Sequence, residues 1–194
     1  MKRMAASLLL IGALCALPAV AAALKVMPVN LEGLVDNAAV IFEGTCLSVE
    51  SKRDENGTLA TYTTFEVQHV WKGEARDTIT IKAYGGQVGS LKAVVPGMPR
   101  FSPGEHVILF LHPESEIGFT SPVGMGQGRF KILTTSEGQK KAVNDDNNRQ
   151  LFRGVDWERV KGLVDQEAVQ QFRIIENEDA GPVGYETLKS LIEQ

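Results

Sequence analysis

The stretch Tyr62-Thr63-Thr64-Phe65-Glu66-Val67-Gln68-His69-Val70-Trp71-Lys72-Gly73 constrains the fold of this chain more than any other. Phe65, Val67, His69 and Trp71 fall on one side of a period-2 pattern, and Thr64, Glu66, Gln68 and Val70 on the other. Successive side chains leave a strand on opposite faces, so such alternation marks a half-buried antiparallel strand. Lys72-Gly73 ends it in a turn. Similar runs flank it, which makes it the expected central strand of a small curled sheet.

The neighbouring segments follow the same logic. Leu31, Leu34, Val35 and Ala38 have helical spacing, with Asn30 as N-cap. Ala39–Glu50 reads as a long first strand. Val40 and Phe42 share one face of it, and Leu47 and Val49 have the opposite parity. The switch is expected near Gly44, where a glycine suggests a bulge and a bend. Asn56-Gly57 favours a hairpin, and Thr78–Lys82 alternates as a third strand. Val107–Leu111 is continuously apolar, as in a strand buried on both sides. Arg129–Leu133 is a fifth strand, with a short return near Lys141–Val143. Asp145-Asp146-Asn147-Asn148 reads as a solvated turn. Trp157, Val160 and Val164 then have helical spacing, and Leu188, Leu191 and Ile192 give a short amphipathic C-terminal helix. Many strands with helices only at the ends predict a mainly β, closed or semi-closed barrel. Phe42, Phe65, Val67, Ile79, Ile81, Ile108, Phe110, Phe130 and Ile132 are expected to share one core.

Between the third and fourth strands, Tyr84 to Gly104 has no periodicity. It holds Gly85, Gly86, Gly89, Gly97 and Gly104, with Pro96, Pro99 and Pro103. Long loops in compact domains are often functional. Glycine-rich backbone offers little side-chain area to bury and is costly to order. Tyr84, Gly85, Gly86, Gln87, Gly89 and Arg100 are therefore the expected partner-binding residues.

Residues 1–23 read as a signal peptide. Lys2 and Arg3 precede the apolar run Leu8–Val20, and Ala19–Ala23 offers A-x-A cleavage sites. Gly12-Ala13-Leu14 before Cys15 departs from a lipobox, so lipidation is not expected. The remaining organisation is a barrel domain over 24–150 and a helical extension over 151–194, in the periplasm or secreted and not membrane-embedded. Losing Lys2 and Arg3 takes the net charge from −4 to −6. That balance disfavours nucleic-acid binding, which rests on phosphate neutralisation. Cys46 would be the only cysteine left, which leaves no intramolecular disulfide, and it reads as a small buried apolar group.

The chemistry-bearing residues are sparse. His69, His106 and His112 lie in or beside strands, and no H-E-x-x-H, C-x-x-C or H-x-H occurs. Glu105-His106 is the only adjacent acid–histidine pair. No G-x-S-x-G is present, Ser121 precedes a proline, and Ser90 and Ser102 lie in loops. Gly124-Met125-Gly126-Gln127-Gly128 enters a strand and lacks phosphate-loop spacing, so it reads as a flexible turn with close backbone approach. No catalytic residues, metal or cofactor are expected.

Three motifs carry a resemblance. They are Ala39-Val40-Ile41-Phe42-Glu43-Gly44, the run from Thr64 to Val67 with Val70-Trp71-Lys72-Gly73, and Phe101-Ser102-Pro103-Gly104-Glu105 before Val107–Leu111. Over about Leu31 to Val143 the chain resembles the netrin-like, tissue-inhibitor-of-metalloproteinase-type OB barrel. It is similar, more closely, to a group of uncharacterised bacterial exported proteins with a Val-Gly-x-Gly-Gln-Gly-x-Phe stretch. The resemblance implies a five-stranded OB-type barrel and an exported, non-catalytic, protein-binding module, with proteases among the partners. The inhibitors' N-terminal zinc-chelating cysteine has no counterpart near Leu24, so their inhibitory residues do not carry over. Two other classes stay open: an oligosaccharide-binding barrel with Tyr62 and Tyr84 as stacking residues, and a hydrolase using Glu105, His106 or His112.

Overall fold

A computed structural model describes residues 26–155 and 181–193. The expected leader and the helical spacing at Trp157, Val160 and Val164 lie outside the described residues. Asn30 caps helix α1 (Leu31–Asn37), its Oδ1 accepting from Gly33 N at 2.9 Å. The strands are β1 (Val40–Arg53), β2 (Leu59–Lys72), β3 (Thr78–Tyr84), β4 (Gly86–Val88), β5 (Leu91–Ala93), β6 (His106–Leu111), β7 (Arg129–Thr134), β8 (Lys140–Asn144) and β9 (Val183–Gly184). Helix α2 (Tyr185–Ile192) closes the described chain and buries Leu188, Leu191 and Ile192, the face its spacing predicted.

The fold is mainly β. Seven strands form an antiparallel sheet in the order β3-β2-β1-β6-β7-β8-β9, and β4 and β5 make a separate ribbon. Among the described residues no ladder joins β3 to β9, so the seven-stranded sheet is open. Its β3-β2-β1-β6 half does curl. The connection from β6 to β7 spans that half through two single bridges, Lys82 with Phe119 and Leu111 with Pro122.

Three irregularities in the β1–β2 ladder decide which side chain faces where. On β2, Gly44 pairs with Val67 but Glu43 pairs with His69, which leaves Gln68 as an extra residue. Phe42 then pairs with Val70 and Ile41 with Lys72, which leaves Trp71 extra. On β1, Cys46 pairs with Phe65 and Ser48 with Thr64, which leaves Leu47 extra. Each extra residue reverses the alternation. The expected single face of Phe65, Val67, His69 and Trp71 is therefore wrong. Phe65, Val67 and Val70 pack together, whereas Trp71 packs on the other side. The β1 switch also lies at Leu47 rather than Gly44. Gly44 sits opposite the Gln68 bulge, where a Cβ would come 2.9 Å from Glu66 O and from Phe42 Cε2.

The nine expected core residues occupy two cores, not one, because β6 is buried on both faces. Ile108 and Phe110 join Phe130 and Ile132 in the first core, with Leu31, Leu34, Leu151, Phe152, Val183 and the α2 residues. Val107, Leu109 and Leu111 join Phe42, Cys46, Phe65, Val67, Ile79 and Ile81 in the second. Two other segments depart from expectation. The aperiodic stretch after Tyr84 contains the β4–β5 ribbon. The polar turn is not wholly solvated: Asn144 and Asn148 are buried, and Asn148 donates from Nδ2 to Ala142 O and Gly181 O at 3.0 and 2.8 Å. Met125–Gly128 is a short 3-10 helix, and Gln127 ties it to the segment before α1 by accepting from Val29 N at 2.8 Å. A Cβ at Gly128 would overlap Val123 O, the close backbone approach expected there.

Candidate functional site

The Leu47 bulge sets up the floor of a groove. Beyond it, Val49 pairs with Thr63 and Ser51 with Thr61. Across β2, Thr63 pairs with Ile81 and Thr61 with Ala83. Period-2 geometry puts these two cross-strand rows on one face of β1, β2 and β3. Without the extra residue at Leu47, Val49 and Ser51 would point to the opposite face. The segment Gly85 to Phe101 passes over the rows and borders a partly open cavity of about 270 Å³.

Glycine makes the roof fit. Gly86 has φ +130°, and a Cβ on it would overlap Ser51 Oγ and Thr61 Oγ1. Thr61 Oγ1 donates to Gly85 O at 2.8 Å and lies 2.9 Å from Ser51 Oγ. Thr63 is different. It is 2% exposed and lines the cavity, and its hydroxyl has no hydrogen-bond partner among the described residues. Lys92 and Arg100 stand at the rim, and the lining contains no carboxylate.

Arg129 holds one end of the roof. From beneath, its Nη1 donates to Arg100 O at 2.6 Å and to Glu105 Oε1 at 3.1 Å. Its Nη2 donates to Asp145 Oδ1, and its guanidinium lies 5.4 Å from the Phe101 ring centre. The buried cation thus fixes Arg100 and Phe101, which in turn packs edge-on to Phe65 at 5.1 Å.

Of the six residues expected to bind a partner, Tyr84, Gly85, Gly86, Gln87 and Arg100 line the cavity. Gly89 lies instead in the turn between β4 and β5, with φ +59°. The floor residues Val49, Ser51, Thr61 and Thr63 were not anticipated. Their signal was present in the threonine-rich start of β2, but their convergence depends on the bulge.

The acid–histidine candidates take separate partners. Glu105 pairs with Arg129, whereas His106 Nε2 meets Glu43 Oε1 at 2.7 Å. Tyr185 also donates its hydroxyl to Glu43 Oε1, at 2.6 Å. Burial alone would raise the Glu43 pKa. The hydrogen bonds from His106 and Tyr185, with the charges of His106 and Lys189, outweigh it and hold the carboxyl below its ordinary value. Burial, and then the bond to Glu43, push the Tyr185 hydroxyl well above its usual range. Tyr185 lies 142 residues from Glu43, so sequence reasoning did not join them; the one signal was an acid directly after the apolar run Val40–Phe42, in a strand expected to be half-buried. His112 N donates to Ser121 O, and the His69 ring packs edge-on to Trp71 at 4.5 Å. Cys46 is buried, and burial followed by the charge of Glu105 raises its thiol pKa, which disfavours a thiolate.

Tyr62 and Tyr84, the stacking candidates of the oligosaccharide-binding alternative, each have one ring face covered by another side chain. Tyr62 pairs with Glu50 and Lys82, on the face opposite the floor rows, and Lys52 Nζ lies 4.6 Å from its ring centre. The Tyr84 ring is stacked on Phe119 at 3.8 Å. No family model matches the chain, and no curated protein or solved structure matches it either.

Proposed function

We propose that this protein is an exported, non-catalytic binding module of the netrin-like OB type, and that it takes a segment of another exported protein in the groove over β1, β2 and β3. The observation that carries this reading is the roofed cavity of about 270 Å³ with an unpartnered Thr63 on its floor. Around it, Val88, Leu91 and Val94 stand exposed on the ribbon and the chain after it. Adjacent exposed apolar side chains beside a cleft are typical of an interaction surface. The curl of β3-β2-β1-β6 and its two single bridges support the OB-type assignment over a flat sheet. Glu43 is engaged by both His106 and Tyr185, and the absence of a recognisable nucleophile–base pair among the described residues supports the non-catalytic reading.

The test replaces Val88, Leu91 and Val94 by Ser and measures both melting and capture of identified exported proteins by the immobilised protein. All three are exposed, so melting should stay within about 2 °C, the range of a surface change of about 0.5 kcal/mol. Loss of a specific captured protein with unchanged melting supports the groove as the binding surface. Unchanged capture overturns it.

A further inference from the structure

We infer that the groove selects an acidic, apolar peptide segment: apolar side chains against the floor, a backbone group on Thr63, and a carboxylate on Lys92 and Arg100. This inference rests on the reading of the groove as the binding surface for an exported partner. Three independent features of the cavity lead to it.

The first is charge. The chain has a net charge of −4, yet the lining of this cavity has no Asp or Glu. Its two cations, Lys92 and Arg100, have no ion pair among the described residues; Arg100 contributes only its carbonyl oxygen to Arg129. A cationic opening on an acidic protein attracts anions and disfavours cations. The planar fork of an arginine matches a carboxylate.

The second is the Thr63 hydroxyl. It is a donor and an acceptor with no partner among the described residues, on a residue that is 2% exposed. A purely apolar occupant would seal it away from water unpaired, at a cost. A peptide backbone lying along the floor supplies both a carbonyl and an N–H.

The third is size and lining. Val49 and Ile81 make the floor apolar, and Phe101 adds an apolar wall. The volume of about 270 Å³ is slightly below the ~300–1,000 Å³ of pockets for whole drug-sized ligands. It suits one or two side chains of a longer segment that continues across the exposed ribbon.

The experiment uses fluorescein-labelled nine-residue peptides and fluorescence polarisation. In one peptide Leu and Phe alternate with Asp; in a second Lys replaces every Asp; in a third Ser replaces every Leu and Phe. The acidic apolar peptide should bind saturably and the other two at least about tenfold more weakly. The K92E/R100E protein, altered only at exposed positions, should keep its melting temperature and lose about tenfold or more in affinity. Thr63→Val, which preserves shape, should lose about fivefold. Equal binding of the lysine peptide, or unchanged affinity in K92E/R100E, overturns the inference. Displacement by decanoate at lower concentration than by the peptide, with the same dependence on Lys92 and Arg100, replaces the peptide by a small amphiphile and overturns it too. If none of these peptides binds while capture of an identified partner still depends on Val88, Leu91 and Val94, the chemistry assigned here fails and the binding surface stands. If that capture is also independent of the three residues, the surface itself falls.

Discussion

The two faces of β6 are covered in different ways. Ile108 and Phe110 face a core closed by helices: α1 supplies Leu31 and Leu34, and α2 supplies Leu188, Leu191 and Ile192. Val107, Leu109 and Leu111 face a core closed by the curl of the sheet itself, with Phe101 packed against it. Amphipathic helices bring side chains every three or four residues and fill the space beneath them. A glycine- and proline-rich roof brings few, and beyond Phe101 it leaves a cavity with Thr63 on its floor. One face is built to hold the sheet together, and the other holds it together while leaving room at one end.

The largest effect that sharpens this contrast is expected at Phe110, which is fully buried in the helix-covered core beside Phe130, with ring centres 5.7 Å apart. Phe110→Ala should cost about 3–5 kcal/mol in urea unfolding. The folded fraction should keep its groove affinity. A loss below about 1 kcal/mol would remove Phe110 from the core.

Arg129 joins the two regions, since it sits under Arg100 and Phe101 and pairs with Glu105 and Asp145. Its carboxylate partners keep some contact with water, so Arg129→Met should cost about 2–3 kcal/mol, less than breaking a fully buried pair. Unlike Phe110→Ala, it should also weaken peptide binding, because it releases the end of the roof. Equal effects of the two substitutions on affinity would break the contrast.

Glu43 should give a smaller effect with a pH signature. Its folded pKa is depressed below 4.5, so between the two values the unfolded state binds more protons and stability rises with pH. The contribution is fully present above about pH 4.5 and lost as pH falls through the folded value. Glu43→Gln should cost about 1–2 kcal/mol at pH 7 and flatten that acid limb. An unchanged limb would show that other carboxylates produce it.

The smallest effect has the opposite sign. Thr63→Val removes a hydroxyl at the cavity floor that has no partner among the described residues, so stability should rise by about 0.5 kcal/mol while peptide affinity falls. A loss of stability would mean that the hydroxyl has a structural partner.

Much of this architecture is legible in the sequence because it is local. The cap at Asn30, the Asn56-Gly57 hairpin, the doubly buried Val107–Leu111 run and the α2 face all follow from spacing and turn chemistry over a few residues. What is not legible depends on register. The bulges at Gln68, Trp71 and Leu47 come from how β1 and β2 pair, and each reverses the faces beyond it. That is why Trp71 left the face of Phe65, and why Val49 and Ser51 entered the floor; the single expected core became two because the alternate residues of β6 face opposite sides. The Glu43–Tyr185 bond likewise depends on where α2 docks, which no local pattern encodes. The roof segment was legible for a different reason: its glycines and prolines have no use in a packed core.

The most direct test is a titration of the isotope-labelled protein with the acidic apolar peptide, followed by backbone amide and threonine methyl resonances. If one face of β6 serves stability and the other ends in a binding groove, the largest shifts should fall on Val49, Thr63, Ile81, Lys92 and Arg100, with Phe130, Leu188 and Leu191 unmoved. Shifts centred on α2 or on the Glu43–His106 pair, or saturable binding with no shift along the floor rows, would contradict it.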